Sequence, residues 1–176
     1  MRFDLEKAAA LFATGAHAAI KQKRRYTGED YINHPAAVAG IVMTVPHTPA
    51  MLAAAWMHDV VEDTGVTITL VRDIFGDEVA DLVEHLTDPS KPEDGNRAAR
   101  RAIDRAHSAA ASPRAKTIKL ADIIDNTKTI AAHDRHFARV YIPEIELLLA
   151  VLTEGDSTLY AQAVASVQEA KRSLSQ

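Results

Sequence analysis

Met57-His58-Asp59-Val60-Val61-Glu62-Asp63-Thr64 sets four ionisable side chains inside an otherwise apolar segment, MLAAAWMHDVVEDTG, residues 51–65. Alanine, leucine and methionine at this density make a buried helix, and charge buried in such a helix is costly unless something pairs with it. A divalent cation and a polar substrate are the natural partners. On a continuous helix, residues four apart share a face, so His58 is expected to stack with Glu62 and Asp59 with Asp63. An ion over the seam takes His58 and Asp59 as ligands. Glu62 and Asp63 then face the same cavity without having to bind it.

Working outward, the rest of the chain also reads as helix. Thr48-Pro49 is an N-cap followed by an N1 proline, opening the helix that carries His58, and Gly65 closes it. Thr67 caps a short helix ending at Phe75-Gly76, and Asp77 starts DEVADLVEHLTD. His34-Pro35 reads as another cap and N1 pair, and Ser112-Pro113 leads into AKTIKLADIIDNTKTI. DPSKPEDGN, residues 88–96, is the clearest loop, and RAARRAIDRAHSAAA after it is a basic amphipathic helix with a solvated face. STLYAQAVASVQEAKRSL is a packing helix near the C-terminus. No alternating strand pattern stands out. The expectation is an all-α fold: a compact, single-domain bundle of roughly eight to ten helices over residues 1–176.

Composition narrows the function classes. The chain of 176 residues has no cysteine, which excludes disulfides, thiolate zinc sites and cysteine nucleophiles. A net charge of −4 argues against a nucleic-acid partner. No run approaches the roughly 18 apolar residues of a membrane span, and the N-terminus lacks a signal-peptide layout. A cytoplasmic enzyme acting on a small molecule is expected. Nothing in the sequence fixes its oligomeric state.

Two further segments supply what the His58 helix lacks. Tyr31-Ile32-Asn33-His34-Pro35 holds a histidine beside a proline of fixed φ. Lys119-Leu120-Ala121-Asp122 through Asn126 places Asp122 and Asn126 on one face. His34, His58, Asp59 and Asp122 together give two imidazoles and two carboxylates. That mixed set suits Mn²⁺, Fe²⁺ or Zn²⁺ better than Mg²⁺ or Ca²⁺. Such an ion lowers the pKa of bound water and polarises a phosphoryl group. Two carboxylates near it, Glu62 and Asp63, can divide acid–base work, because like charges at close range raise one pKa. Histidines 17, 47, 85, 107, 133 and 136 fit none of these elements and read as surface or capping residues.

The H…HD…D order is the signature of the HD phosphohydrolase superfamily, and longer strings narrow the resemblance. Gly28-Glu29-Asp30-Tyr31-Ile32-Asn33-His34-Pro35 resembles the G-x-x-Y-I-x-H-P element of RelA/SpoT hydrolase domains. His58 through Thr64 is similar to their HD-x-x-EDT, and Phe75-Gly76 with Leu86-Thr87 resembles their FG…(V/L)T segment. Ser112 through Asp122, with Asn126, resembles S-x-x-A-x-x-(V/I)KLAD-x-x-x-N. The matches keep their order from Lys21 to about Ile130.

The resemblance implies an HD-type bundle and a stand-alone small alarmone hydrolase. It implies Mn²⁺ held by His34, His58, Asp59 and Asp122, with Glu62 and Asp63 positioning or deprotonating water. It also implies Asn126 near the nucleotide and Arg24 or Arg25 in contact with it. The implied reaction removes pyrophosphate from the ribose 3′ position of guanosine tetra- or pentaphosphate, leaving GDP or GTP. Two positions depart from the family: Ile123 stands where Arg or Lys is usual, and the 88–96 loop is unlike the family's. These keep open an adenosine alarmone or NADPH as substrate. A non-catalytic nucleotide sensor would be expected to lack a ligand or one of the acids, and all are present.

Overall fold

The computed structural model describes residues 4–175. Among them are ten α-helices, one short 3₁₀ turn and a single isolated β-bridge, Lys23 with Asp30, so the all-α expectation holds. The chain divides into two compact units, Met1–Thr87 and Asp88–Gln176. No described helix is long and apolar enough to cross a membrane.

The first unit is built around α3 (Pro49–Met57). Seven of its nine residues are buried, Ala50 through Ala55 and Met57, so it is apolar on every face and can only be a core helix. Its alanines let α1 (Leu5–Ala19), α2 (Asn33–Val42) and α6 (Asp77–Leu86) approach it. Thr48 caps it as expected, its Oγ1 accepting from the Met51 N–H at 3.2 Å. Thr67 does the same for α5 (Ile68–Phe75), accepting from Leu70 N–H at 3.2 Å. Gly76 then turns the chain into α6 at φ 85°, a conformation that suits glycine.

Two readings are corrected. The helix carrying His58 is not continuous: α3 stops at Met57, and a separate turn, α4 (Val60–Asp63), follows. His58 and Asp59 form the break between them. His34 does not cap α2; Ile32 holds that position and His34 lies in the first turn, where N–H groups have no helical partner in any case. That also explains why Pro35, which has no N–H, is tolerated there. After α1, Lys21 adopts φ 53°, the one positive φ among described non-glycine residues. A left-handed lysine costs about 1 kcal/mol, so the turn it makes is held by other contacts. The basic cluster behind it is thus an ordered turn.

In the second unit, α8 (Pro113–His133), α9 (Arg135–Leu149) and α10 (Ser157–Leu174) pack on one another, and α7 (Arg97–Ala110) packs on α9. Ser112 caps α8 through Ala115 N–H at 3.3 Å, and Asn96 caps α7 through Ala99 N–H at 3.0 Å. α9 is an element the start signals above did not mark; Asp134 caps it, accepting from Phe137 N–H at 2.8 Å. The arginines of α7 are not simply solvated. Arg97 makes a two-pronged pair with Glu144, at 2.7 and 2.8 Å, and lies over the Phe137 ring. That hydrogen bonding raises its pKa further. Arg101 bonds Asp88 at 2.7 Å and Asp104 at 3.1 Å, while Ser90 N–H donates to Asp104, so the 88–96 loop is tied to α7. That loop also winds into the 3₁₀ turn Pro92–Asp94.

Gly155 presses the turn before α10 onto α8. A Cβ there would meet Leu120 Cδ1 at 2.7 Å and the backbone of Lys116 and Thr117 at 3.2 Å. The buried Lys116 pairs with Glu154, and Asp156 N–H donates to Thr117 Oγ1 at 2.9 Å, which closes the same seam from both sides. Gly155→Ala is therefore expected to destabilise the protein by roughly 1–3 kcal/mol in denaturant unfolding. An unchanged midpoint would contradict this close approach.

Candidate metal centre

His58 follows the last residue of α3, whose final carbonyls lack helical partners. Its Nδ1 lies 2.9 Å from the Ala55 carbonyl oxygen. A carbonyl only accepts, so Nδ1 carries a proton, and Nε2 is the nitrogen left to face a cation. The side chain thus takes the carbonyl that the Asp59 N–H would take in a continued helix. Asp59, at φ −100° and ψ −4°, leaves helical geometry for the bridge region. The break places His58 and Asp59 side by side at the end of the core helix.

His58 Nε2 lies 3.2 Å from His34 Nε2 and 3.0 Å from Asp59 Oδ2. His34 Nε2 lies 3.6 Å from the same Asp59 oxygen. One ligand atom from each residue falls within 4.8 Å of the others. Both imidazoles are buried, at 1% and 3% exposure, and the Asp59 side chain is 20% exposed. Electron-rich atoms this close need a proton or a cation between them. Two imidazoles and a carboxylate form the donor set of a borderline divalent ion, so these residues fit one.

Two effects set the charge on Asp59. Burial works to raise its pKa; positive charge and a hydrogen bond from His58, then positive charge on His34 and the Tyr31 hydroxyl, outweigh that and hold it well below the ordinary carboxylate range. Tyr31 Oη donates to Asp59 Oδ2 at 2.5 Å, and its ring meets the His34 ring edge-on at 5.8 Å. The tyrosine of the G-x-x-Y element therefore orients two of the three candidate ligands, as outer-shell partners of metal ligands do.

Glu62 and Asp63 are both exposed on α4. His58 is buried, whereas Glu62, four residues on and past the helix break, is exposed. Asp63 Oδ2 accepts from Gln22 Nε2 at 2.8 Å, and Gln22 Oε1 meets His17 Nδ1 at 2.7 Å. His17 is 2% exposed, which corrects its reading as a surface or capping residue. A signal for it does exist: Ala9, Ala13 and His17 are four apart and all buried, one continuous row of α1. Gln22 carried no such signal. Arg24 and Arg25 lie in the turn before Tyr31, where Arg24 N–H donates to Glu29 O and the Arg25 guanidinium covers the Tyr26 ring at 5.6 Å.

In the second unit, Asp122 is 7% exposed on α8. Its Oδ1 accepts from Asn126 Nδ2 at 2.6 Å, and Lys119 Nζ lies 3.5 Å from Oδ2. The two expected site residues of this helix thus meet through a direct hydrogen bond. Burial, then the Asp122 carboxylate, pushes the Tyr141 hydroxyl well above its ordinary pKa. Ile123 is 1% exposed, so the position where Arg or Lys is usual is a core position here.

The chain matches the HD domain family over residues 9–152, a stretch reaching into both units. A guanosine-3′,5′-bis(diphosphate) 3′-pyrophosphohydrolase of Xenopus tropicalis is 37% identical over 127 residues, covering 69% of this chain and 67% of that protein. A probable guanosine-3′,5′-bis(diphosphate) 3′-pyrophosphohydrolase of Synechocystis is 49% identical over 80 residues, 46% of this chain. The chain spans 10% of that protein and 14% of a probable GTP pyrophosphokinase of Mycobacterium leprae. Among solved structures, a metazoan ortholog of SpoT that hydrolyses ppGpp superimposes with a TM-score of 0.84 at 25% identity, covering 96% of this chain and 97% of that one. A Listeria monocytogenes protein shares the fold at a TM-score of 0.66 and 24% identity, over 82% of this chain and 99% of that one. A buried histidine–histidine–aspartate cluster on this helical scaffold, inside a match that takes in most of the sequence, places the chain in the HD domain family.

Proposed function

We propose that this protein is a metal-dependent 3′-pyrophosphohydrolase of guanosine tetra- and pentaphosphate, working as one hydrolase domain. The observation that carries the reading is the convergence of His34 Nε2, His58 Nε2 and Asp59 Oδ2, with a proton kept on His58 Nδ1 by Ala55. Relatives with that activity in their names match 69% and 46% of this chain, which supports the choice of substrate. Asp122, the buried aspartate of the KLAD motif, is the proposed fourth ligand, and Mn²⁺ the proposed ion.

A divalent ion bound there supplies charge neutralisation at the phosphoryl group and lowers the pKa of a bound water. The remaining work falls to the chain. Glu62 and Asp63, exposed beside the cluster on α4, take the proton of the attacking water. The water oxygen bonds to the phosphorus on the ribose 3′ oxygen, and that P–O bond breaks. Pyrophosphate leaves, and the 3′ oxygen takes up a proton to give GDP or GTP. Arg24, or Arg25 after release from the Tyr26 ring, offsets phosphate charge, and Asn126 contacts the nucleotide while bonding Asp122.

The buried Ile123 places no charge at the position where the family usually carries one, and the 88–96 loop is held by Arg101 and Asp104. A nucleotide panel tests whether this changes the substrate. Purified protein with Mn²⁺ is expected to convert guanosine tetraphosphate to GDP and pyrophosphate faster than it acts on the adenosine counterpart or NADPH. Turnover of only one of the latter would overturn the guanosine assignment.

Asp59→Ala removes the carboxylate that both imidazoles face. It is expected to lose bound Mn²⁺ in metal analysis and to lower hydrolysis by at least about a hundredfold. A variant that keeps both metal and full activity would refute the proposed centre.

A further inference from the structure

Three histidines are buried among the described residues: His34 and His58 in the cluster, and His17 outside it. His17 sits in the last turn of α1 and bonds a glutamine that bonds Asp63. The direction of each bond in that chain is determined. The Asp63 carboxylate only accepts, so the Gln22 amide must turn its NH₂ toward it. Its carbonyl oxygen then faces His17, and Nδ1 must carry the proton. A flipped amide would set two acceptors 2.8 Å apart and face the Gln22 NH₂ with the imidazole N–H.

The backbone is arranged for the same purpose. Gln22 N–H donates to the His17 carbonyl at 3.1 Å, and the Gln22 carbonyl accepts from Tyr31 N–H at 3.3 Å. The residue before it, Lys21, is held at φ 53°. Without that left-handed step the chain leaving α1 would not return to place Gln22 against its own histidine. The His17 ring also packs against the Tyr31 ring at a tilt of 46°, centroids 4.8 Å apart, and Tyr31 holds Asp59. His17 Nε2 meets no polar atom among the described residues. A buried polar ring that spends one nitrogen on Gln22 and leaves the other unmet is poor packing for a core position, where leucine would fill the space without loss.

We propose that Gln22, locked in one orientation by His17, is a positioning residue for hydrolysis: it fixes the Asp63 carboxylate through Oδ2 and leaves Oδ1 to take the proton of water. An amide suits this task because it donates without adding charge beside a carboxylate that must stay basic. This inference rests on the hydrolase reading above, in which Asp63 handles the attacking water.

Gln22→Met, which keeps length and removes the donor, is expected to lower kcat on guanosine tetraphosphate roughly ten- to hundredfold. KM should stay within about twofold, with Mn²⁺ content and melting temperature unchanged. Gln22→Glu, of the same size but an acceptor facing Asp63, is expected to lose at least as much. His17→Asn, which keeps a donor near the Nδ1 position, should retain more activity than His17→Leu. The decisive comparison is the double variant Gln22→Met/Asp63→Asn, expected to be no slower than Asp63→Asn alone, since Gln22 acts through Asp63. Multiplying defects in the double variant, a loss carried by KM or metal content, or full kcat in Gln22→Met and Gln22→Glu would each overturn the proposal. A wild-type protein inactive on every nucleotide tested would instead overturn the hydrolase reading, and this inference with it.

Discussion

The hydrogen bond from His58 Nδ1 to the Ala55 carbonyl is the contact on which the rest of the site depends. It takes a helical acceptor with a side chain, so α3 ends one residue earlier, at Met57. It keeps a proton on Nδ1, so Nε2 is the nitrogen that points inward. It leaves Asp59 free to adopt a bridge-region backbone and bring its carboxylate beside two imidazoles.

Around that break the molecule separates burial from reactivity. The candidate ligands lie in or beside an alanine-rich core, where a fixed charge interacts strongly. Tyr31 orients the ligand side by bonding Asp59 and packing on His34. Glu62 and Asp63 stand one turn further on, exposed, where water reaches them. The turn from Lys21 to Tyr31 serves both halves: Gln22 bonds Asp63 with its side chain and Tyr31 with its backbone. A short segment between two helices thus supports ligand and acid alike.

Much of this was legible in the sequence. Helix starts at Thr48, Thr67 and Ser112 follow from short polar side chains and prolines whose capping chemistry is local. Asp122 and Asn126, four apart, do meet on one helix face. The break at His58–Asp59 was not legible, because it arises when a side chain competes for a backbone carbonyl, which residue spacing does not encode. His34 as a cap failed for a related reason: Ile32 enters α2 through backbone turns, with Asn33 N–H donating to Asp30 O and His34 N–H to Tyr31 O, rather than through a polar side chain. The arginines of α7 read as solvated because their partners, Glu144 and Asp88, are 47 and 13 residues away. His17 was hidden among eight histidines, although the alanines four and eight residues before it mark a buried face.

The central claim is that His34, His58 and Asp59 hold one divalent cation through Nε2, Nε2 and a carboxylate oxygen. Crystals grown with Mn²⁺ and measured near the manganese absorption edge test it directly. The account predicts an anomalous peak at coordination distance from both Nε2 atoms and the Asp59 carboxylate, with His58 Nδ1 still on the Ala55 carbonyl. Manganese peaks lying only elsewhere, or a His58 ring turned away from Ala55, would contradict it.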